Sequence, residues 1–435
     1  MKKQLAAAAA LGLAAAMSLT ACGNSAAGPT GGPTGTGTPA APAGVDIRVW
    51  LVGPDTPQNA RDYLKQTFEA QNPGNTLTIE EQSWTGLVDK YTTSLSGSDT
   101  PDVVEIGNTQ APTFTSAGFF ADLTSKYQEL GGDDLLPGFV QIGSYGGKFY
   151  AAPYYSGARV VTYTSQVFSA AVPTTWDGFR QAYADAATDS VSGSFLTGKD
   201  WRDGMTYVWV NGGDIATVDA AGKWTGGFNT PEGIKGLTQF QELFTKGVSH
   251  AATDAVEATN AQVAFCAGQV AFLQAPSWIS GGIEASETAE SPGCGATFGN
   301  KDDMHQFAIP GVTAGTFAPV LAGGSNIAIA AKSVNQDLAY KALQIMLSDD
   351  YQKLLAENGM VPARVSQAKY LPDSEFSQAA ANAASAAKLT PASPNWSDVE
   401  SQNILEDGFS KIAQGQDVAT VAADMDAKIE AILNK

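Results

Sequence analysis

The stretch DIRVWLVGPDTPQNARDYLKQTFEAQNPGNTLTIEEQSWTGLVDKYTTSLSGSDTPDVVEIGN, residues 46–108, decides the fold. Asp46 to Leu51 alternates apolar and polar side chains as a strand does, and Gly53-Pro54 breaks it. Thr56-Pro57 then predicts a helix start, Thr as N-cap and Pro in the first turn. The helix runs to about Gln71, where Asn72-Pro73-Gly74 stops it. Thr76 to Glu80 reads as a second strand, Trp84 to Leu95 as a helix and Asp102 to Ile106 as a third strand ending at Gly107-Asn108. Strand, helix, strand, helix, strand is the pattern of an α/β lobe with a largely parallel sheet. Ligands of such sheets collect beyond the carboxyl ends of the strands, which marks Trp50 to Asp55 and Asn108 to Gln110.

Downstream, Gly146 to Tyr155 reads as a turn and an extended segment, and Val160 to Tyr163 as a further strand. Thr174-Thr175-Trp176-Asp177 opens a helix with a hydroxyl and a carboxylate at capping positions. Helical periodicity recurs over Pro231–Phe244, Ala258–Cys266, Asn335–Leu347, Asp349–Glu357, Val399–Ile412 and Val418–Leu433. The span from about Val45 to Lys435 is long enough for two large lobes.

Upstream, a basic end (Lys2, Lys3) and an apolar run from Leu5 to Leu19 precede Leu19-Thr20-Ala21-Cys22. A short positive region, a short apolar region and small residues before a cysteine read as a lipoprotein signal peptide over 1–21, with lipid carried on Cys22. Residues 22–44 hold no bulky side chain beyond that cysteine, so they have no apolar surface to offset ordering entropy. They read as a disordered tether about 25 Å in root-mean-square length and about 70 Å when drawn out. The expected location is extracytoplasmic, on the outer face of the cell membrane and held by the lipid anchor alone.

The formal charge is −19, from 44 acidic and 25 basic side chains. The acids are scattered, which describes a solvated surface unsuited to nucleic acid or anionic headgroups. Besides Cys22 the chain has Cys266 and Cys294. An even pair outside the cytoplasm suggests one disulfide, two buried thiols being the alternative. Neither cysteine lies in a Cys-x-x-Cys motif, and His250 and His305 are in no metal-ligand spacing, so no metal and no cofactor is expected. No Gly-x-Ser-x-Gly elbow and no phosphate-cradling Gly-Lys-Ser/Thr loop is present.

Several segments in order carry a resemblance. They are Pro101-Asp102-Val103-Val104, Gly147-Lys148-Phe149-Tyr150-Ala151-Ala152-Pro153-Tyr154, Val161 to Thr164, Pro173 to Phe179, Asn211-Gly212-Gly213-Asp214, Phe265 to Trp278, Gly323-Gly324-Ser325 and Met360 to Arg364. Together they resemble the extracellular solute-binding proteins of bacterial ABC importers, specifically the sugar-binding group. Asn is missing after Tyr163, and Gly178 stands where the family usually has Glu. The resemblance implies a two-lobed periplasmic-binding-protein-like (class II) α/β fold with a hinge of crossing segments. It places lobe 1 at 45–153 plus about 317–362, and lobe 2 at about 154–316 plus 363–435. The chain would cross near Ala152–Gly157, Ala314–Val320 and Pro362–Gln367. The implied partners are a carbohydrate, the transmembrane permease subunits and a separate cytoplasmic ATPase, with the receptor itself a monomer and not an enzyme.

A sugar offers hydroxyls on its rim and C–H groups on its faces, so its site needs aromatic platforms and planar polar groups. The eight tryptophans and the marked loops give the candidates. For stacking these are Trp278, Trp209 and Trp396, and then Trp50, Trp84, Tyr154 and Tyr155, each of which reads as either site or core. For the rim they are Asn108, Thr109, Gln110, Asn211, Asp214, Ser325 and Arg364, with Gly212, Gly323 and Gly324 allowing close backbone approach. The number of aromatic candidates leans towards a di- or oligosaccharide. Two readings compete: the same fold binding another small solute such as a polyamine, and a secreted glycosidase using paired carboxylates.

Overall fold

The strand and helix run of residues 46–107 folds as a parallel unit in the computed structural model of the chain, which describes residues 44–252, 263–277, 279, 283 and 303–435. Strand β1 (Asp46–Val52) pairs in parallel with β2 (Thr76–Gln82) on one side and β3 (Val103–Gly107) on the other. Helix α1 (Gln58–Gln71) makes the first crossover and buries Ala60, Leu64 and Phe68, one stripe at four-residue spacing. Helix α2 (Leu87–Ser96) makes the second and buries Leu87, Tyr91 and Leu95.

Two local expectations are corrected here. Pro57, not Thr56, is the N-cap of α1, and it offers no side-chain bond. The Thr56 hydroxyl is buried 2.9 Å from the Tyr154 hydroxyl instead. Helix α2 starts at Leu87 rather than Trp84, because Gly86 takes a left-handed conformation (φ 71°) and ends the loop there. Trp84 is thereby left outside the helix.

The main elements that follow, leaving aside the helix Pro137–Ile142, two short hairpins and the 3-10 turns, are in order α3 (Ala111–Ser116), β4 (Ala151–Thr164), α4 (Trp176–Ala186), β5 (Ser192–Ser194), α5 (Trp201–Val210), α6 (Pro231–Thr245), β6 (Val270–Pro276), β7 (Met304–Phe307), β8 (Ala322–Ile329), α7 (Gln336–Met346), α8 (Asp349–Glu357), β9 (Val361–Pro362), α9 (Glu375–Ser385), α10 (Trp396–Ser401), α11 (Ile404–Ala413) and α12 (Val418–Leu433). Nine strands among the described residues join in the order β2-β1-β3-β8-β4-β6-β5, with β7 and β9 also paired to β4.

Strand β4 ties the halves together. Ala151 to Ala158 pair with β8, while Arg159 to Tyr163 pair with β6 and Val161 to Thr164 with β7. The two extended segments expected at 151–155 and 160–163 are thus one 14-residue strand. One core packs β1–β3 against α1, α7 and α8, with Leu64, Phe68, Tyr351 and Leu355 at its centre. The other gathers α4, α5, α6, α11 and α12 around Trp201, Phe240, Phe409 and Met425. All described residues fall in one compact unit spanning Pro42–Lys435.

Residues 364–367 still bond to the first core: Arg364 donates to the Leu130 carbonyl, Ser366 to Asp134 and Gln367 to Asp349. Beyond Tyr370, α9 joins the second core, where Glu375 accepts from the Gln306 amide. The helix expected over 399–412 is two helices, because Asn403 is left-handed (φ 52°) and divides α10 from α11. Cys266 is disulfide-bonded. Cys294, Cys22 and part of the helix expected over 258–266 lie outside the described residues.

Candidate functional site

A cavity of about 560 Å³ lies where the carboxyl end of β3, the middle of β4, the start of β8 and the start of α5 converge. Its volume falls in the range of small-molecule sites. Trp84 is its aromatic wall and is 41 % exposed. Two glycines shape the surface under this ring. A Cβ at Gly53 would stand 3.0 Å from Trp84 Nε1, and one at Gly107 would stand 3.0 Å from Cζ3. The Trp84 indole N–H donates to Asp55 Oδ2 at 3.3 Å.

A chain of polar groups lies behind this wall. β-Bulging at Tyr154, between the pairs Ser325–Tyr155 and Asn326–Pro153, separates two consecutive tyrosines by role. Tyr154 is buried in the first core and bonds Tyr351 at 2.6 Å. Tyr155 reaches the cavity, donates to Glu105 Oε1 at 2.9 Å, lies 3.5 Å from Asp55 Oδ2 and accepts from Ser325 Oγ at 3.4 Å. Glu105 Oε2 accepts from the Val52 amide at 2.9 Å.

Burial pushes the Glu105 carboxyl up to about 7, with the Asp55 charge adding to the rise; the Val52 N–H and the Ser325 and Tyr155 hydroxyls partly offset it. The folded protein therefore holds this proton to higher pH than the unfolded chain does. The stabilisation is complete below the ordinary value of 4.5 and is lost as pH rises through about 7. Burial raises Asp55, Asp203 and Glu400 in the same direction. Denaturant midpoints should fall between pH 5 and pH 8, and Glu105→Gln should remove a share of that slope on the order of 3 kcal/mol. A slope unchanged in the variant would show that Glu105 is not the titrating group.

The second core contributes charge. Arg159 Nε lies 2.9 Å from Asp203 Oδ1, and Gln274 Nε2 donates to the Asp203 carbonyl at 3.3 Å. Asp200 caps α5 by accepting from the Asp203 amide. Arg202 lies 4.8 Å over the Trp201 ring, between Glu400 at 4.0 Å and Glu406 at 3.9 Å. Across the cavity, Thr109 Oγ1 and Gln110 Nε2 both donate to Glu400 Oε2 at 3.1 Å, and Thr113 Oγ1 donates to the Pro394 carbonyl at 2.8 Å. These bonds run directly between the two cores.

The structure brings seven of the expected site residues to this cavity: Asn108, Thr109, Gln110, Tyr155, Gly323, Gly324 and Ser325. Others it places elsewhere. Trp50 is buried and donates to Glu80 at 2.7 Å, and Tyr154 belongs to the first core. Trp209 is buried against Asp214, which also pairs with Lys388 at 2.9 Å. Asn211 bonds the Tyr207 carbonyl and Gln239, and Gly212 (φ 94°) turns the chain after α5. Arg364 is held by the Leu130 carbonyl, and Trp396 is fully buried against Trp201. Trp278 lies outside the described residues. Missing from the expected set were the charged and amide groups Arg159, Asp200, Arg202, Asp203, Gln274 and Glu406; of these, only the Asp200-x-x-Asp203 spacing ahead of an apolar helix was a readable signal.

Two α/β lobes bridged by shared strands, with a polar and aromatic cavity between them, define a solute-binding fold of the two-lobed type. The chain belongs to the bacterial extracellular solute-binding protein family, whose model matches residues 53–353. It is 31 % identical over 397 residues to the diacetylchitobiose binding protein DasA of Streptomyces coelicolor, with 89 % of each chain covered. The acarbose-binding GacH receptor of Streptomyces glaucescens shares the fold with a TM-score of 0.77 at 20 % identity, covering 91 % of this chain and 100 % of that one. A Thermotoga lettingae ABC transporter solute-binding protein bound to α-D-tagatose shares it at 0.75 and 19 %, covering 89 % and 100 %. The two-lobed α/β architecture expected from the sequence is the one observed.

Proposed function

We propose that this chain captures a di- or oligosaccharide between its lobes and presents it to the transmembrane subunits of an ABC importer driven by a cytoplasmic ATPase. The observation that carries the reading is the exposed Trp84, laid against Gly53 and Gly107 at a cavity whose rim is polar on both sides. An aromatic face beside convergent hydrogen-bonding groups is the chemistry a sugar ring requires. The likeness to a disaccharide-binding relative at 31 % identity supports it. In this reading lobe 1 comprises 45 to about 155 and about 322–370, and lobe 2 comprises about 156–321 and 371–435. The third crossing follows Tyr370 because residues 364–367 remain bonded to the first core.

Each lobe supplies part of the rim, so closure follows from the closed form's greater affinity for the ligand. Titration calorimetry against di- and oligosaccharides, with the sugars analysed afterwards, tests this. Saturable binding with intact sugar recovered is the expected result. Cleaved products would replace capture with hydrolysis.

No described helix is long and apolar enough to cross a membrane. We infer that attachment is by lipid on Cys22. Cys22→Ser should move the protein from the membrane fraction to the medium with its sugar affinity unchanged; a variant that stayed with the membrane would rule out the anchor.

A further inference from the structure

Donors and acceptors on the cavity wall are unevenly engaged. The Trp84 indole, the Asn108 amide, the Gln110 amide and the Gln274 amide each donate within the protein, to Asp55, the Ala322 carbonyl, Glu400 and Asp203. Gln110 Oε1, Gln274 Oε1 and Glu406 Oε2 are buried and have no hydrogen-bond partner among the described residues, as is true of Thr197 Oγ1 and of the Arg159 Nε that is ion-paired with Asp203, and the whole Gln274 side chain is only 3 % exposed. Unengaged acceptors at a buried site call for a ligand that donates.

Charge points the same way. The wall carries the carboxylates of Asp55, Asp200, Asp203 and Glu406 against the guanidiniums of Arg159 and Arg202. Arg159 is paired with Asp203, and Arg202 stands between Glu400 and Glu406. Asp55 and Asp200 are left with no cation at ion-pairing distance among the described residues. Arg61 and Glu81 act on Asp55 in opposite directions and pair with each other at 2.8 Å. Trp84 and Tyr155 both bond to Asp55 Oδ2, which leaves Oδ1 without a hydrogen-bond partner among the described residues.

We propose that the sugar is a basic amino sugar, with its ring on Trp84 and its ammonium group on the Asp55 carboxylate. This rests on the carbohydrate reading above and narrows it. An ammonium group donates three hydrogens, accepts none and supplies the missing positive charge. An acetamido group and a hydroxyl would each bring no positive charge to this wall.

The test uses three β-1,4-linked dimers that differ only at the 2-position: chitobiose with free amines, diacetylchitobiose and cellobiose. Calorimetry on the mature chain is run at about pH 6, below the ordinary range of amino groups, so that the amines are charged. The free-amine dimer should bind about tenfold or more tighter than either of the others, a margin expected of a partly desolvated charge pair. That margin should shrink in high salt. Asp55→Asn, with folding checked by thermal melts, should collapse the preference. Asp200→Asn, which keeps a capping-competent side chain, should reduce it to a smaller degree. Equal or tighter binding of diacetylchitobiose or cellobiose overturns the amino-sugar assignment alone. A preference that survives Asp55→Asn overturns the seat of the ammonium. Binding of spermidine with none of the dimers or their longer oligomers overturns the carbohydrate reading itself.

Discussion

Trp84→Ala will lower sugar affinity by about 30-fold or more, close to 2 kcal/mol, while the protein stays folded. The ring makes two contributions that alanine cannot replace: an apolar face for the sugar, and an N–H that fixes one oxygen of Asp55. Its exposure of 41 % means that truncation removes little from the core. Affinity by calorimetry and the unfolding midpoint by denaturant separate the two effects. Loss of both together would mean that Trp84 supports the fold rather than the ligand. Gly107→Ala offers an independent check, because its Cβ would stand 2.3 Å from Gln110 Oε1 and 3.0 Å from Trp84, pressing on two side-chain ends and leaving backbone alone.

Gly324→Ala will destabilise the whole molecule by about 3 kcal/mol or more. Gly324 has φ 125°, which side-chain-bearing residues rarely adopt, and its Cβ would lie 2.3 Å from the Tyr155 carbonyl oxygen and 2.8 Å from Ser156 Cα. Those atoms belong to β4, the strand that holds both cores, and cannot give way as a side-chain end can. Gly315→Ala is the contrast. Its φ of 83° is also unfavourable, yet nothing lies within 4 Å of the added carbon, so only a backbone cost of about 1 kcal/mol is expected. Equal unfolding midpoints for the two variants would show that the clash at Tyr155 is relieved without disturbing the strand pair.

The first lobe was legible because its signals are local. Alternation in β1, the Asn72-Pro73-Gly74 stop and the rule placing ligands after strand ends led directly to Asn108, Thr109 and Gln110. The continuity of β4 was not legible, because its partners β6, β7, β8 and β9 are all distant in sequence and belong to both cores. Tryptophans were the weakest guide. Trp396 follows Pro394-Asn395 and reads as a loop residue, but α10 turns it onto Trp201. Trp84 reads as the start of a helix, but the left-handed Gly86 delays that helix by one turn and leaves the ring outside. Whether an aromatic ring faces solvent depends on what packs over it, and that is set by tertiary structure. The charged wall from Arg159, Arg202 and Asp203 was hidden for the same reason, since no motif spans the two elements that bring it together.

The bonds from Thr109, Gln110 and Thr113 to Glu400 and Pro394 bear on timing. If the lobes open and close as proposed, a receptor that can fasten itself will shut for moments without cargo, and an importer sensing shape alone would then idle through ATP. Duration becomes the useful message: a brief closure means nothing, and a long one means sugar. Single-molecule distance records should show short unliganded closures that vanish in Glu400→Ala and long ones only with sugar. Closures of equal length in both proteins would remove Glu400 from the clock.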